Sequence, residues 1–312
     1  MGRRITRLSL GTYEDLGWAV CKLGATVRAV VAASTMRPPA GVGGEECRVM
    51  WARGGDPGDA GSYLAPQGAG ADLVVTSCPE VVARPGGNGP EPVLIPFGCD
   101  AGAFAGSETS PWPDDVTVGP PVAGYVGRLD DSIDTELLEA VLDEGMSLLL
   151  VGPGEEAGGV APRISSLLDR PGVQWVGPKP FRELPSYLQA IDVGLVPYRA
   201  GSAHLESFSS KALEYLSAGL PVVLPDLPGM RALGTGLVVT AHTGGTFAGE
   251  ARRATERRRD PEALRARQAF AALHDWAGRA RDWAGLLGLP VAGGTSRTAA
   301  VSCRGGGVSA RG

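Results

Sequence analysis

Histidine and cysteine are scarce in this chain of 312 residues, which has three of the first and five of the second. His204, His242 and His274 are too widely spaced to share one metal ion, and only His204, two residues before Glu206, has a loop address beyond a strand end. Cys21, Cys47, Cys78, Cys99 and Cys303 are odd in number and contain no Cys-x-x-Cys. That pattern argues against a disulfide framework and against zinc, so the thiols are read as reduced. No apolar run reaches the roughly 18 residues of a membrane helix, and the opening MGRRITRLSLG lacks the apolar segment of a signal peptide. The expectation is a cytoplasmic protein, with peripheral contact at the inner face of a membrane as the furthest departure from that. There is no P-loop, no G-x-S-x-G elbow, no His-Glu-x-x-His and no Asp-x-Asp pair to hold a divalent ion on a diphosphate.

Excess charge is lacking too. A net charge of −5 and a pI near 5.4 give no general attraction to nucleic acid. The arginines at 252, 253, 257, 258 and 259 are interleaved with Ala and Glu and read as a solvated helix face, with a lipid surface as the alternative.

What the chain does have is apolar content, 43%, and a length that favours two domains. From about residue 119 the sequence alternates apolar, β-rich runs with helical ones. Strands are expected at 122–126, 147–152, 173–176, 192–197, 221–225 and 236–240, and helices around 134–144, 161–169, 182–190 and 209–218. Near-continuous apolar strands separated by helices imply a parallel sheet covered on both faces, a doubly wound α/β domain.

The first 118 residues are less regular. Strands are expected at 27–34, 72–77 and 92–96, but residues 37–70 hold 13 Gly or Pro in 34, a density no packed helix tolerates. That segment reads as a long loop or as a sign that the amino-terminal domain is shortened. Residues 261–287 carry Leu264, Phe270, Leu273, Trp276, Trp283 and Leu287, which a kinked bracing helix would bury. The tail from Val291 has the composition of a disordered end. The expected division is 1–118, 119–260, a bracing helix over 261–290 and a tail over 291–312.

Two places carry chemistry. GYVGRL (124–129) ends a strand at Gly127 and puts Arg128 in the loop beyond it, where ligands of open parallel sheets bind. Arg128 can meet an anionic ligand there, or form a surface ion pair with Asp130 or Asp131. GSAHLESFSSKALEYLSAGLPVV (201–223) follows a later strand and opens a helix capped by Ser209 or Ser210. Lys211 falls in that helix's first turn, where a cation opposes the helix dipole unless an anion is near. Glu214, three residues on, can accept hydrogen bonds from vicinal hydroxyls or pair with Lys211. Glu206 precedes the helix. VGPGEEA (151–157) matches G-x-G-x-x-A but opens onto two carboxylates, a poor seat for a pyrophosphate.

The run ESFSSKALEYLSAGLPVV resembles the glutamate, seven residues, glutamate signature of retaining GT-B-fold glycosyltransferases of the family-four type, glycosyl transferases group 1. DLVVTS with VLIPFGCDAGAF resembles the end of that family's acceptor-side domain and its exit to a linker. AGYVGRLD resembles the first strand and phosphate-binding arginine of its donor domain, and VQWVGPKPFRELPSYLQAIDVGLVP the stretch that meets the base. The likeness covers residues 71 to about 285. It implies a GT-B-like α/β fold of two Rossmann-like doubly wound domains, with the amino-terminal one shortened. It also implies a nucleotide-diphospho-sugar as co-substrate, no metal or other cofactor, and an acceptor that is a sugar, a lipid-linked molecule or a small molecule.

Residue by residue, the resemblance puts Glu214 on the ribose hydroxyls and Glu206 on the transferred sugar. Arg128, after Gly127, neutralises the diphosphate, with Lys211 secondary and the amides near Ser207 and Phe208 close by. Gly177, Pro178 and Lys179 lie beside the base. The family pattern has a lysine about five residues after the arginine, where this chain reads DDSIDTE, and no histidine precedes His204. A non-catalytic nucleotide-sugar-binding or partner subunit is the alternative reading, and a sugar-nucleotide epimerase the third.

Overall fold

The structure, a computed structural model, describes residues 18–23, 26–33, 47–52, 73–83, 90–154, 160, 162–199, 209–241 and 243–287, the first three stretches as main chain alone. The chain divides into two compact units, Met1–Pro96 with Arg279–Gly312, and Phe97–Gly278.

In the first unit, β1 (Trp18–Leu23), β2 (Thr26–Ala33), β3 (Cys47–Ala52), β4 (Leu73–Thr76) and β5 (Pro92–Leu94) form one sheet in that order. β1 pairs antiparallel with β2, and every later pair is parallel. The short helix α1 (Pro79–Ala83) lies between β4 and β5 in sequence. Strands β2, β4 and β5 coincide with expected ones; β1 and β3 were not foreseen. β3 interrupts the segment read as a loop, because CRVMWA is free of Gly and Pro and a strand needs only about five such residues. Leu73, Val75 and Ile95 pack with Leu286, and Val93, Trp283 and Leu287 lie against them.

The second unit opens with α2 (Ala101–Phe104) and β6 (Val122–Val126), then runs α3 (Thr135–Asp143), β7 (Ser147–Val151), α4 (Pro162–Leu168), β8 (Val173–Trp175), α5 (Leu184–Gln189) and β9 (Val193–Leu195). It continues through α6 (Ser210–Ser217), β10 (Val222–Leu224), α7 (Pro228–Ala232), β11 (Val238–Thr240), α8 (Gly244–Glu256), α9 (Pro261–Ala272) and the start of α10 (Trp276–Leu286). The sheet is wholly parallel, in the order β11-β10-β9-β6-β7-β8. Successive strand residues feed opposite cores. Val122, Leu149, Val151 and Val222 join residues of α2, α5, α6 and α9, while Ala123, Leu148, Leu150 and Val193 join residues of α3, α4 and α8. Burial on both faces is why these strands read as continuous apolar runs.

Glycines set two close contacts across this sheet. A Cβ on Gly124 would lie 2.2 Å from Ile191, and one on Gly194 would lie 2.5 Å from the Tyr215 ring. The residue-261 region is two helices rather than one kinked helix. Between them the chain pairs with Cys99, whose N–H donates to His274 O at 3.0 Å and whose carbonyl accepts from Trp276 N–H at 3.1 Å. Trp283 is packed as expected, but Leu273 and Trp276 flank this turn and are 72% and 50% exposed. Arg258, expected on a solvated face, is buried and donates through Nε to Ile191 O at 3.1 Å. Among the described residues no helix is long and apolar enough to cross a membrane.

Candidate functional site

The strand order reverses between β6 and β9. β7 and β8 extend the sheet to one side of β6, and β9, β10 and β11 to the other. Where consecutive connections depart to opposite sides, the loops at the carboxyl ends separate and leave a crevice, the usual ligand site of open α/β sheets. Gly127 and Arg128 leave β6 at this point, and Tyr198 and Arg199 leave β9 beside them.

The two loops are tied together. Ile133 and Tyr198 form an antiparallel bridge, Asp134 N–H donates to Pro197 O at 2.8 Å, and Arg199 N–H donates to Ser132 O at 2.8 Å. The acids of DDSIDTE serve this strap and its surroundings. Asp130 accepts from Ser132 N–H at 3.0 Å and from its hydroxyl at 2.5 Å. Asp131 pairs with Arg163 at 2.9 Å. Asp134 caps α3 by accepting from Glu136 N–H at 3.0 Å and Leu137 N–H at 3.4 Å. The ion pair weighed above between Arg128 and Asp130 or Asp131 does not form; Arg128 is exposed, and its Nη1 donates to Gly154 O at 3.4 Å.

Lys211 approaches the same point from α6. Ser209 is the N-cap, its hydroxyl accepting from Ala212 N–H at 3.3 Å, so Lys211 lies at the second helical position. Its stem crosses Gly127, where an added Cβ would lie 2.2 Å from Lys211 Cε. Its ammonium donates to Tyr198 Oη at 3.3 Å and stands 5.9 Å from the Tyr125 ring centroid and 5.8 Å from that of Tyr198. Among the described residues no carboxylate pairs with Lys211 or Arg128. Two cations without an ion-pair partner among the described residues thus lie at the reversal point of an acidic chain, an arrangement that favours an anion carrying more than one charge.

Glu214 is partly buried on α6, and no described side chain hydrogen-bonds its carboxylate. Burial raises its pKa to about 7, against the opposing pull of Lys211. Burial pushes the neighbouring Cys99 thiol up to about 12, and Glu214, Asp275 and Asp100 add to that rise. The Cys99 thiol points to Ala271 O at 3.9 Å and forms no disulfide. A carboxylate in such a place gains from hydroxyl donors brought by a ligand.

Toward the sheet edge, Gly127, Gly152 and Gly177 end successive βα units at intervals of 25 residues. They interlock through main chain: Gly127 N–H donates to Val151 O at 2.8 Å and Gly152 N–H to Gly177 O at 2.9 Å. Trp175 Nε1 donates to Gly152 O at 2.9 Å. Gly177 has a φ of +74° and open space where a Cβ would be. Pro178 beyond it is exposed. Lys179 is held by Asp115 at 2.5 Å, and Tyr187 Oη donates to the same carboxylate at 2.8 Å. The hydrogen bond from Lys179 lowers the Asp115 pKa, and Asp115 in turn raises that of Lys179. The Gly177 to Lys179 loop is therefore built on a closed ion pair.

Glu206, Ser207, Phe208 and His204 lie outside the described residues. Tyr125, Tyr198, Arg199 and Tyr215 were not singled out in the sequence, although Tyr125 and Tyr215 stand in the quoted stretches. Among the described residues no group of three His, Cys, Asp or Glu is placed to hold a metal ion.

Residues 120–257 match the family described as Glycosyl transferases group 1. A Bacillus subtilis (strain 168) protein named for a glycosyltransferase role in teichuronic acid biosynthesis, TuaH, is 36% identical over 109 residues, 34% of this chain. The match spans only 27% of that relative's length. Sucrose-phosphate synthase from Thermosynechococcus elongatus superimposes with a TM-score of 0.57 and 23% identity over 77% of this chain and 67% of its own. Anabaena HepE, solved in complex with UDP and glucose, gives 0.59 and 16% over 78% and 72%. Over residues 120–257 the chain is thus similar to the glycosyl transferases group 1 family, and its fold is GT-B.

Proposed function

We propose that this protein is a glycosyltransferase that takes a sugar from a nucleotide-diphospho-sugar, without a metal and with retention of anomeric configuration. The observation that carries the reading is the pair of cations at the switch point between β6 and β9, Arg128 and Lys211, neither of which forms an ion pair with a described carboxylate. Departure of a nucleoside diphosphate develops negative charge on the leaving group, and cations fixed in advance stabilise that charge without reorganising. Glu214, which no described side chain hydrogen-bonds, takes the ribose hydroxyls; Glu206 contacts the transferred sugar; the amides near Ser207 and Phe208 face the phosphates. Gly177 and Pro178 offer open main chain to the base, and Lys179 orders that loop through Asp115. HepE holding UDP and glucose on the same fold supports this choice of donor. Retention is implied by the resemblance of the Glu206-to-Glu214 segment. The acceptor is a sugar, a lipid-linked molecule or a small molecule.

The test is calorimetric titration and thermal shift with a panel of nucleotide sugars in the presence of EDTA. One donor should stabilise the protein, and Arg128→Ala and Lys211→Ala should each weaken it about tenfold or more, as loss of a charge-assisted hydrogen bond does. Absence of any shift at millimolar donor would overturn the reading. Release of nucleotide on adding acceptors separates a catalyst from a binding subunit.

A further inference from the structure

The structure assigns to Tyr215 the role of a positioning residue for Arg128, an inference that rests on the donor reading above. The parting of β6 from β9 that opens the crevice creates a local difficulty. Alternate amides of a strand in a parallel sheet face opposite neighbours. Gly127 N–H turns toward β7, where it finds Val151 O at 2.8 Å. Val126 N–H turns the other way, toward β9, but the β6–β9 register ends at Gly124 and Gly194. An amide left without a partner at that depth is unfavourable. The Tyr215 hydroxyl supplies the acceptor, 2.7 Å from Val126 N.

The phenol can reach because of what lies beneath it. Tyr215 is buried on α6, and its ring occupies the space that a side chain on Gly194 would fill. Burial raises its pKa, so the phenol keeps its proton throughout the physiological range. Lys211 and Tyr215 are four residues apart and share one face of α6. Each residue of the turn is then held by one side chain: Val126 by the Tyr215 hydroxyl, Gly127 by the Lys211 stem, and Arg128 through its carbonyl, which accepts from Tyr125 Oη at 3.0 Å. Tyr215 fixes where the strand ends and so where the Arg128 guanidinium starts.

Tyr215→Phe removes the hydroxyl and keeps the ring. Ser217→Ala is the control: on the same helix, it removes a buried hydrogen bond to Ala101 O of 2.8 Å that does not touch β6. Whichever of UDP, GDP or ADP binds wild-type protein best is titrated, together with its nucleoside. Tyr215→Phe should bind the diphosphate about tenfold more weakly and the nucleoside unchanged, while Ser217→Ala alters neither. In an Arg128→Ala background the effect of Tyr215→Phe should vanish, since the two act in series. A wild-type affinity for the diphosphate in Tyr215→Phe, or an undiminished effect in the Arg128→Ala background, overturns the assignment alone. Wild-type protein that binds none of the three overturns the donor reading and the assignment with it.

Discussion

At Glu214 the two demands on one side chain oppose each other. Its folded pKa of about 7 stands above the ordinary value of 4.5, so the folded state binds the proton more tightly than the unfolded chain does. The stability from that proton is fully present below about 4.5 and is lost as pH rises through about 7. The unliganded protein should therefore weaken across this window by about 3 kcal/mol, and Glu214→Gln should remove most of that dependence. Urea denaturation of both proteins at a series of pH values measures it; parallel curves would refute the assignment. Binding runs the other way, because hydroxyl donors prefer the ionised carboxylate. Affinity for an intact nucleotide sugar should rise as pH passes about 7 in wild-type protein and stay flat and low in Glu214→Gln. The sequence placed Glu214 on α6, but did not show that burial would hold its proton, which depends on how that helix packs.

At the scale of elements, the strand ends divide into positions that resist a side chain and positions that accept one. A Cβ on Gly152 would lie 2.0 Å from the Gly127 carbonyl oxygen, a main-chain atom that cannot step aside. Gly152→Ala should lose more than about 3 kcal/mol of stability. At Gly177 nothing lies within 4 Å of the added carbon and only the left-handed φ of +74° opposes it. Gly177→Ala should lose about 1 kcal/mol. Equal losses in chemical denaturation would contradict the interlock. The six strands and most helices of the second unit were legible because strands buried on both faces are continuously apolar, and the α6 start because Ser209 can cap it. The Ile133–Tyr198 bridge and the hydroxyl on Val126 were not legible. Both are made with main-chain groups, which leave no periodic trace. β3 was missed for a related reason, since the composition of residues 37–70 hid six residues free of Gly and Pro.

For the whole molecule, local and total charge disagree. The net charge of −5 repels an anionic donor, while Arg128 and Lys211 at the crevice attract it. Screening acts over about 8 Å at physiological ionic strength, so the nearer charges should dominate at the site. Donor affinity should fall as salt is raised from about 50 to about 500 mM, with the weakening mainly abolished in Lys211→Ala. Titration calorimetry at several salt concentrations decides the matter, and affinity that rises with salt would mean that total charge governs the encounter.

The glycines that close β6, β7 and β8 also bear on how such a protein can change over generations. Where three neighbouring strands end without side chains, the surface presented is peptide main chain, identical in every variant that folds. Substitution cannot delete its contacts; it can only cover them. If the site takes a nucleotide sugar as proposed, adaptation to a different sugar or base is thereby channelled to the rim, to residues such as Arg199 that lie beyond the strand ends. The floor stays as an inheritance that drift cannot easily erode.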